Sequence, residues 1–204
     1  MKNKLIYIIR HGETDFNKLG IVQGSGINSD LNEKGVSQAK RFYEYYKDIR
    51  FQKIYTSALI RTQQSVLPFI EAGKPYHIFP QLNEISWGIF EGKPQNESER
   101  LAYWEVVNAW KNGDSTAKIV AGESASELQA RQQSFIQVLK AQKEECVLVA
   151  THGRAMKSLL CTLLNLPLSE MESFEHSNLC LYVLSFDGNS FELIIRNDTA
   201  HLNV

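Results

Sequence analysis

Two short apolar runs, each followed by a His-Gly pair, constrain the fold of this chain more than any other feature. Residues 5–9 lead through Arg10 into His11-Gly12, and residues 146–150 lead through Thr151 into His152-Gly153. Continuous apolar runs of this length are typical of strands that are buried on both faces of a parallel sheet. Because ligands bind where the carboxyl ends of such strands meet, we expect both histidines at one ligand-binding edge.

Helical patterns separate these runs and predict an α/β domain with a largely parallel sheet. The amphipathic segment 32–49 has Asn32 as its predicted cap. A second helix is expected to follow a brief strand at residues 54–56, with Ser57 as its cap. The predicted helices occupy residues 32–49, 58–71, a segment opened by the capping-box pattern Ser124–Glu127, and 154–164, and a hairpin is predicted around Asp187-Gly188.

The charge balance gives no reason to expect nucleic acid or an anionic membrane as a partner. The 22 basic and 23 acidic residues leave a net charge of −1. Cys146, Cys161 and Cys180 lie far apart among apolar residues, and we predict that they are reduced thiols. No apolar stretch approaches the ~18 residues of a membrane span, and the apolar part of the N-terminus is too short for a signal peptide. We therefore expect a cytoplasmic protein.

The residues around the two His-Gly pairs suit the binding of a phosphate group. Glycine after histidine lets an anion approach backbone N–H groups. Arg10 supplies a guanidinium whose fork geometry matches phosphate oxygens, and Arg61, one turn into the predicted second helix, is a candidate for another. Glu84 lies within an apolar stretch, and such an environment favours the protonated acid, which suits a proton donor.

Some of these residues also have ordinary interpretations. Arg61 is equally well explained as an exposed helix arginine, and Glu84 as a loop glutamate that pairs with an arginine. His77, His176 and His201 are scattered singly along the chain. We interpret these three histidines as structural or surface residues.

Four segments taken together resemble the histidine phosphatase superfamily, which is also called phosphoglycerate mutase-like. In chain order they are Arg10-His11-Gly12-x-Thr14-x-x-Asn17, Ser57-x-Leu59-x-Arg61-Thr62, Glu84 with the following Trp87-Gly88 and Glu91-Gly92, and His152-Gly153. Within the superfamily, Gly122-Glu123-Ser124 resembles the broad-specificity phosphatases and the α-ribazole phosphatases. The resemblance implies a three-layer sandwich with a mostly parallel central sheet and helices on both faces. We expect one domain over residues 1–204, with an inserted helical and aromatic segment at about 86–122 that covers the active site.

The resemblance also implies the roles of individual residues. His11 is the expected nucleophile of a phosphohistidine intermediate, and Glu84 the expected proton donor and acceptor. Arg10, Arg61, His152 and Asn17 are expected to hold the phosphoryl oxygens, and the two arginines are expected to keep His11 unprotonated. Gln23 and Gly153 are further candidate contacts to the substrate. No metal and no cofactor are implied, and the expected partner is a small phosphomonoester.

Three interpretations of function remain open at this point. A phosphomonoester hydrolase is favoured, because residues 90–107 lack the Glu-Arg-Arg run of the mutases and offer only Lys93 and Arg100 as cations. The alternatives are phosphoglycerate mutase-type transfer and a non-catalytic protein that binds phosphorylated ligands. The aromatic residues of the inserted segment either line a pocket for a ring-bearing or apolar leaving group or form a small subsidiary core. The chain is expected to be a monomer or a homodimer.

Overall fold

The computed structural model describes residues 3–203, and six strands in this range form one sheet. The spatial order is β3-β2-β4-β1-β5-β6. Strands β1 to β4 are parallel, and β5 and β6 are antiparallel additions at one side. The strands are β1 (Lys4–Arg10), β2 (Lys53–Thr56), β3 (Tyr76–Ile78), β4 (Cys146–Thr151), β5 (Leu181–Phe186) and β6 (Phe191–Asp198). The prediction of a mostly parallel central sheet is confirmed.

Helices cover both faces of the sheet and complete the predicted three layers. Along β1, Ile6 and Ile8 belong to one hydrophobic core and Ile9 to the other, because successive strand residues point to opposite faces. The first core also contains residues of α5, α6 and α7, and the second contains residues of α2 and α4. The helices are α1 (Asp15–Lys18), α2 (Glu33–Tyr46), α3 (Ile60–Ser65), α4 (Leu67–Glu71), α5 (Glu97–Lys111), α6 (Ala125–Ala141) and α7 (Gly153–Leu163).

The pairing of β1 with β4 brings the two His-Gly pairs together at the centre of the sheet. The parallel register places Arg10 opposite Thr151, so His11 and His152 follow the same edge. The backbone N–H of His11 continues the ladder and donates to the Thr151 carbonyl oxygen at 3.0 Å. The expectation that both histidines lie at one edge of the sheet is confirmed.

The predicted helix N-termini agree with the structure better than the predicted helix lengths do. Asn32 caps α2 and accepts from the Gly35 N–H, and Ser124 and Glu127 form the predicted capping box of α6. The predicted helix 58–71 is wrong as a single element, because it is divided at Val66 into α3 and α4. In a continuous helix Pro68 would have to donate to the Gln64 carbonyl, and proline has no N–H.

The state of the cysteines agrees with the prediction of reduced thiols. The three cysteines are free thiols, of which Cys161 and Cys180 are buried. Across residues 3–203, no helix combines the length and the apolar composition that crossing a membrane requires.

Candidate active site

A pocket at the carboxyl ends of β1 and β4 collects most of the predicted site residues. Six of them line it: Arg10, His11, Asn17, Gln23, Glu84 and Gly153. Arg61 and His152 are fully buried and lie next to His11 rather than on the pocket surface. The structure thus brings together all eight predicted residues, six at the wall and two in the layer behind it.

His11 is held as a neutral ring with one nitrogen free. Its Nδ1 lies 2.7 Å from the Gly12 carbonyl oxygen, which only accepts, so Nδ1 carries the proton and Nε2 keeps its lone pair. Burial lowers the pKa of His11 well below the usual 6.5, and the charges of Arg10 and Arg61 lower it further. The ring therefore stays unprotonated at neutral pH, in one tautomer.

His152 lies next to His11, with the two ring centroids 5.1 Å apart. Its Nδ1 accepts from Arg61 Nε at 3.2 Å, so the proton of the neutral ring lies on Nε2 and is donated to Ser57 Oγ at 2.8 Å. Burial and then the charge of Arg61 lower the pKa of His152 well below 6.5. Ser57 was predicted to cap a helix, but Leu59 holds the N-cap position of α3, and the hydroxyl of Ser57 supports His152 instead.

Arg61 is a buried cation that joins the second histidine to the loop after α1. Besides His152, its guanidinium donates to the carbonyl oxygens of Ile27 at 2.6 Å and Gly24 at 3.3 Å. Burial lowers the pKa of Arg61 to about 10, so the group remains charged at neutral pH. The interpretation of Arg61 as an exposed helix arginine is wrong, because its side chain is fully buried.

Glu84 is buried, but its carboxylate does not lie in the apolar setting that the sequence suggested. Oε1 accepts from the backbone N–H groups of Ile85 at 3.0 Å and Ala155 at 2.8 Å, and Oε2 accepts from the Arg154 N–H at 3.2 Å. Two of these donors belong to the first turn of α7, where the helix dipole also favours an anion. The pocket therefore presents Glu84 as a fixed hydrogen-bond acceptor next to Gly153 and His11.

Arg131, which the sequence did not indicate, fixes the backbone on which Glu84 lies. From α6 its guanidinium donates to the carbonyl oxygens of Gln81 at 2.6 Å, Asn83 at 2.8 Å and Glu84 at 3.0 Å, and it pairs with Glu123 at 2.7 Å. An ordinary Arg-x-Gln segment within a helix carries no sign of this function. Only the packing of α6 against residues 80–82 reveals it.

Asn17 and Gln23 are held from behind by Thr14. The Asn17 amide oxygen accepts from the Thr14 N–H at 3.2 Å and from Asn178 Nδ2 at 3.1 Å, which leaves its amide nitrogen for the pocket. Gln23 Nε2 donates to Thr14 Oγ1 at 2.6 Å. Thr14 and Asn17 also form the capping box of α1, so the motif that resembles a phosphatase signature folds as a helix start.

Arg10 reaches the pocket with part of its guanidinium unpaired. One terminal nitrogen lies 3.4 Å from Nδ1 of His176, and the buried Nε has no hydrogen-bond partner among residues 3–203. His176 itself lines the pocket, so the interpretation of this histidine as an isolated structural or surface residue is incomplete. Burial, together with the charge of Arg10, lowers the pKa of His176 to about 3, and the ring stays neutral.

The inserted aromatic segment contributes both to the core and to the pocket. Trp87, Phe90 and Trp110 are buried in the first core, whereas Trp104 is 53% exposed. Trp87 and Tyr103 also line the pocket, with their ring centroids 4.5 Å apart. The buried aromatic residues thus belong to the main core rather than to a small subsidiary one, and the lining by Trp87 and Tyr103 leaves the nature of the leaving group as a prediction.

The Glu91 carboxylate connects this segment to the loop that Arg61 holds. It accepts from the backbone N–H groups of Gly26 at 2.9 Å and Trp87 at 2.7 Å. Gly88 has a φ of +55°, and a Cβ there would meet the Val120 carbonyl oxygen at 2.1 Å.

Within residues 3–203, no group of three or more His, Cys, Asp or Glu side chains is placed to hold a metal ion.

Comparison with known proteins identifies the family. The family model of the histidine phosphatase superfamily (branch 1) matches residues 6–199. "Phosphoserine phosphatase 1" of Hydrogenobacter thermophilus is 29% identical over 202 residues, which cover 98% of this chain and 94% of the relative. "Probable phosphoglycerate mutase GpmB" of Yersinia pestis is 29% identical over 207 residues, which cover 98% and 95%. The solved α-ribazole phosphatase of Shigella flexneri superposes with a TM-score of 0.82 at 26% identity, covering 95% of this chain and 96% of that one. This chain belongs to the histidine phosphatase superfamily.

Proposed function

We propose that this chain hydrolyses small phosphomonoesters in the cytoplasm through a phosphohistidine intermediate on His11. The observation that carries the proposal is the state of His11, a buried neutral ring whose Nδ1–H is fixed by the Gly12 carbonyl and whose Nε2 is free. A neutral imidazole in one tautomer is a competent nucleophile. The relatives named as phosphatases support the same reaction class.

In the first step, Nε2 of His11 attacks phosphorus in line and the bond to the leaving oxygen breaks. The ring then carries a positive charge, which the hydrogen bond from Nδ1 to the Gly12 carbonyl stabilises. Glu84 supplies the proton that the leaving alkoxide takes up. Because its carboxylate already accepts three backbone N–H groups, we propose that the proton arrives together with the phosphate.

In the second step, Glu84 takes a proton from water, whose oxygen attacks phosphorus as the N–P bond breaks. Inorganic phosphate leaves and His11 returns to its neutral form. Phosphoryl transfer depends on positioning and on charge stabilisation, so guanidinium groups are able to serve without a metal ion. The prediction of activity without a metal is tested by adding a chelator.

We propose that Arg10 and Asn17 are the first contacts of the phosphoryl oxygens. The buried Nε–H of Arg10 lacks a partner, and an unsatisfied buried donor costs about 1–3 kcal/mol, which a phosphoryl oxygen would recover. The Asn17 amide nitrogen is oriented by the two bonds to its oxygen. Gln23 and the Gly153 backbone complete the proposed contacts at the pocket wall.

His152 and Arg61 are proposed to act as a pair behind these groups. Because Arg61 donates to Nδ1, His152 must present an N–H at Nε2, which is the form that a phosphoryl oxygen accepts from. In the structure, Ser57 Oγ accepts from this donor. We propose that a bound phosphoryl group takes the place of Ser57, while the charge of Arg61 contributes to the positive potential. The segment at about 86–122 is proposed to cover the pocket through Trp87 and Tyr103.

Hydrolysis is favoured over mutase-type transfer, although one relative is named as a mutase. The two cations that residues 90–107 offer are engaged at the surface. Lys93 pairs with Glu99 at 2.8 Å, and Arg100 donates to the Gln95 carbonyl at 3.3 Å. Neither residue lines the pocket that contains His11. Conversion of 3-phosphoglycerate to 2-phosphoglycerate without release of phosphate would reverse this preference.

The test is hydrolysis of p-nitrophenyl phosphate in excess chelator by the wild type, His11→Ala and His77→Ala. His77 lies in the exposed strand β3, so its variant controls for the loss of a histidine as such. We expect the wild type and His77→Ala to be equally active and His11→Ala to lose at least about 10³-fold in kcat, because the covalent step is abolished. Quenching with alkaline detergent during turnover should trap a phosphoenzyme that is stable in base and labile in acid, and His11→Ala should not form it.

Three results would contradict the proposal. Activity that disappears in chelator and returns with a divalent ion would exclude the metal-free mechanism. Activity that survives in His11→Ala would assign the nucleophile elsewhere. An inactive wild type that still binds phosphate would return the non-catalytic interpretation to first place.

A further inference from the structure

A cluster of cationic side chains at the pocket has no part in the proposed phosphoryl transfer. Arg154 lines the pocket together with Tyr103, and Lys157 lies one turn further along α7. Both cations form ion pairs with the carboxylate of Glu172. Lys157 Nζ lies 3.2 Å from Glu172 Oε2. His176, beside them, is neutral because burial and the surrounding cations lower its pKa to about 3. The cluster therefore retains one uncompensated positive charge.

Arg154 is fixed in place and faces the pocket with donors to spare. Its side chain is 7% exposed, and its guanidinium carbon lies 5.9 Å from the ring centroid of Trp87 and 5.7 Å from that of Trp110. Glu172 accepts from one terminal nitrogen, and the Tyr103 hydroxyl accepts from the other at 3.2 Å. Further N–H groups of this guanidinium have no acceptor among the described residues.

The Tyr103 hydroxyl extends the same donor surface. Since its oxygen accepts from Arg154, its own proton is available to a ligand in the pocket. An oriented O–H and a planar guanidinium side by side match the two oxygens of a carboxylate. Tyr103 belongs to α5 in the inserted segment, whereas the residues proposed to hold the phosphoryl group come from the loops after β1 and β4. Arg154 directly follows Gly153 at the start of α7, so the proposed subsite lies between the inserted segment and the segment that follows β4.

We propose that Arg154 and Tyr103 form a subsite that binds a carboxylate on the leaving group, so that the preferred substrates are phosphomonoesters of hydroxy acids. The inference rests on the proposed hydrolysis and adds the chemical class of the alcohol that leaves. Arg154 and Lys157 are buried and share one carboxylate, which leaves one positive charge without a counter-ion, and a bound carboxylate supplies both the charge and the acceptors. A ring-bearing or purely apolar leaving group would leave that charge uncompensated.

The test compares two three-carbon substrates that differ at one group. 3-Phosphoglycerate carries a carboxylate where glycerol 3-phosphate carries a hydroxymethyl group, and the readout is the ratio of their kcat/KM values. We expect the wild type to prefer 3-phosphoglycerate at least about 10-fold. Arg154→Met should reduce the ratio roughly 10- to 100-fold, and Tyr103→Phe about 3- to 10-fold, since charge-assisted hydrogen bonds are the stronger ones. Arg50→Met, which removes an exposed arginine, should leave the ratio unchanged.

Each possible outcome supports or overturns the inference. A wild type that hydrolyses p-nitrophenyl phosphate but does not discriminate between the two substrates overturns the subsite and leaves the proposed function standing. Equal losses on both substrates in Arg154→Met place this arginine on the phosphoryl group instead. If Arg154→Met fails to fold, Tyr103→Phe and Arg154→Lys carry the test. If no substrate is hydrolysed, the proposed function fails, and calorimetric binding of the same two compounds still measures the carboxylate preference.

Discussion

The role of each residue in the proposed reaction depends on its hydrogen-bond partners more than on its residue type. His11 and His152 are both neutral, yet Gly12 forces the proton of one onto Nδ1 and Arg61 forces the proton of the other onto Nε2. One ring thereby keeps a lone pair at Nε2, as the proposed nucleophile requires, and its neighbour presents an N–H at Nε2, as the proposed donor requires. The carboxylate of Glu84 likewise depends on the N–H groups of α7 for its position. These assignments lead to a kinetic prediction for Glu84.

Glu84→Gln should separate the two chemical steps. p-Nitrophenolate leaves without a proton, so the first step should remain fast, whereas attack by water requires a base and should slow by about 10²–10⁴-fold. We expect a burst of p-nitrophenolate of about one equivalent per active site, followed by slow turnover. For an alkyl phosphomonoester, whose leaving group needs the proton, the burst should be absent and the rate should fall throughout. Rapid-quench and stopped-flow measurements check both.

Glu105→Gln is the matched control, because Glu105 is exposed on α5. It should behave as the wild type with both substrates. A Glu84→Gln variant with unchanged turnover of the alkyl ester would remove Glu84 from the mechanism. Equal slowing of the burst and of the steady state would indicate that the change has displaced His11 or the phosphoryl contacts.

The sequence was informative about these residues where a motif joins a strand to a turn. The Arg10-His11-Gly12 and His152-Gly153 segments were predicted as site residues, and the structure brings them together. Ser57 and His176 were misjudged because their partners come from distant parts of the chain. Ser57 meets a histidine 95 positions away, and His176 meets an arginine 166 positions away. No local pattern records contacts of that range.

At the scale of elements, α6 links the core to the proposed acid. The helix buries Leu128, Phe135 and Leu139, and from the same element Arg131 donates to three carbonyl oxygens in the loop at residues 81–84. Arg131 touches none of the proposed reacting atoms, so it is a positioning residue. A further hydrogen bond holds this loop, because Thr151 Oγ1 donates to the Leu82 carbonyl oxygen at 2.8 Å.

Arg131→Met should reduce catalysis in a way that depends on the leaving group. Without its three anchors the loop shifts Glu84, so kcat for an alkyl phosphomonoester should fall about 10-fold or more and the formation of the phosphoenzyme from p-nitrophenyl phosphate should fall less. Three partly buried carbonyl groups lose a charged donor, so the free energy of unfolding should fall by about 1–3 kcal/mol. Urea denaturation and the two substrate assays measure these effects.

Arg41→Met is a suitable control, because Arg41 also donates to a carbonyl oxygen, that of Leu202, but at the exposed surface. It should change stability by less than about 0.5 kcal/mol and leave both activities unchanged. A loss of stability in Arg131→Met with both substrates equally affected would make Arg131 a purely structural residue.

Elements with buried apolar faces were predictable, and those without them were not. The parallel strands β1 and β4 and the helices α2, α6 and α7 follow their hydrophobic patterns. Strand β3 was missed because its three residues are exposed and form an edge, which leaves no burial pattern in the sequence. The division between α3 and α4 was missed because a helix-period pattern continues across it.

At the scale of the whole molecule, the site depends on chain segments that are far apart in sequence. Strand β4 lies between β1 and β2, so a strand from late in the chain separates two early ones and brings the second His-Gly pair to the first. Four of the five histidines are then sheltered: burial is the leading cause of a lowered pKa for His11, His152, His176 and His201. Keeping these rings neutral makes the stability of the fold depend on pH.

Stability should therefore decrease as the pH falls below about 6.5. The unfolded histidines bind protons near that value, whereas His11, His152 and His176 do not do so in the folded protein, so protons favour unfolding. Each group contributes up to about 1.4 kcal/mol per pH unit, and the three together up to about 6 kcal/mol between pH 7 and pH 5. Carboxylates with lowered pKa values, such as Glu13 and Glu144, begin to act only below their usual 4.5 and lie outside this range. Urea midpoints measured from pH 7.5 to 5 give the slope.

Two variants identify the source of that slope. His176→Asn removes one of the sheltered rings, so the loss between pH 7 and pH 5 should shrink by up to about 2 kcal/mol. His77→Asn changes an exposed histidine of β3 and should leave the slope as it is in the wild type. A wild-type stability that is flat across this range would mean that the buried histidines accept protons in the folded state. In that case His11 would be partly protonated near pH 6, and the neutral nucleophile on which the proposed function rests would be lost.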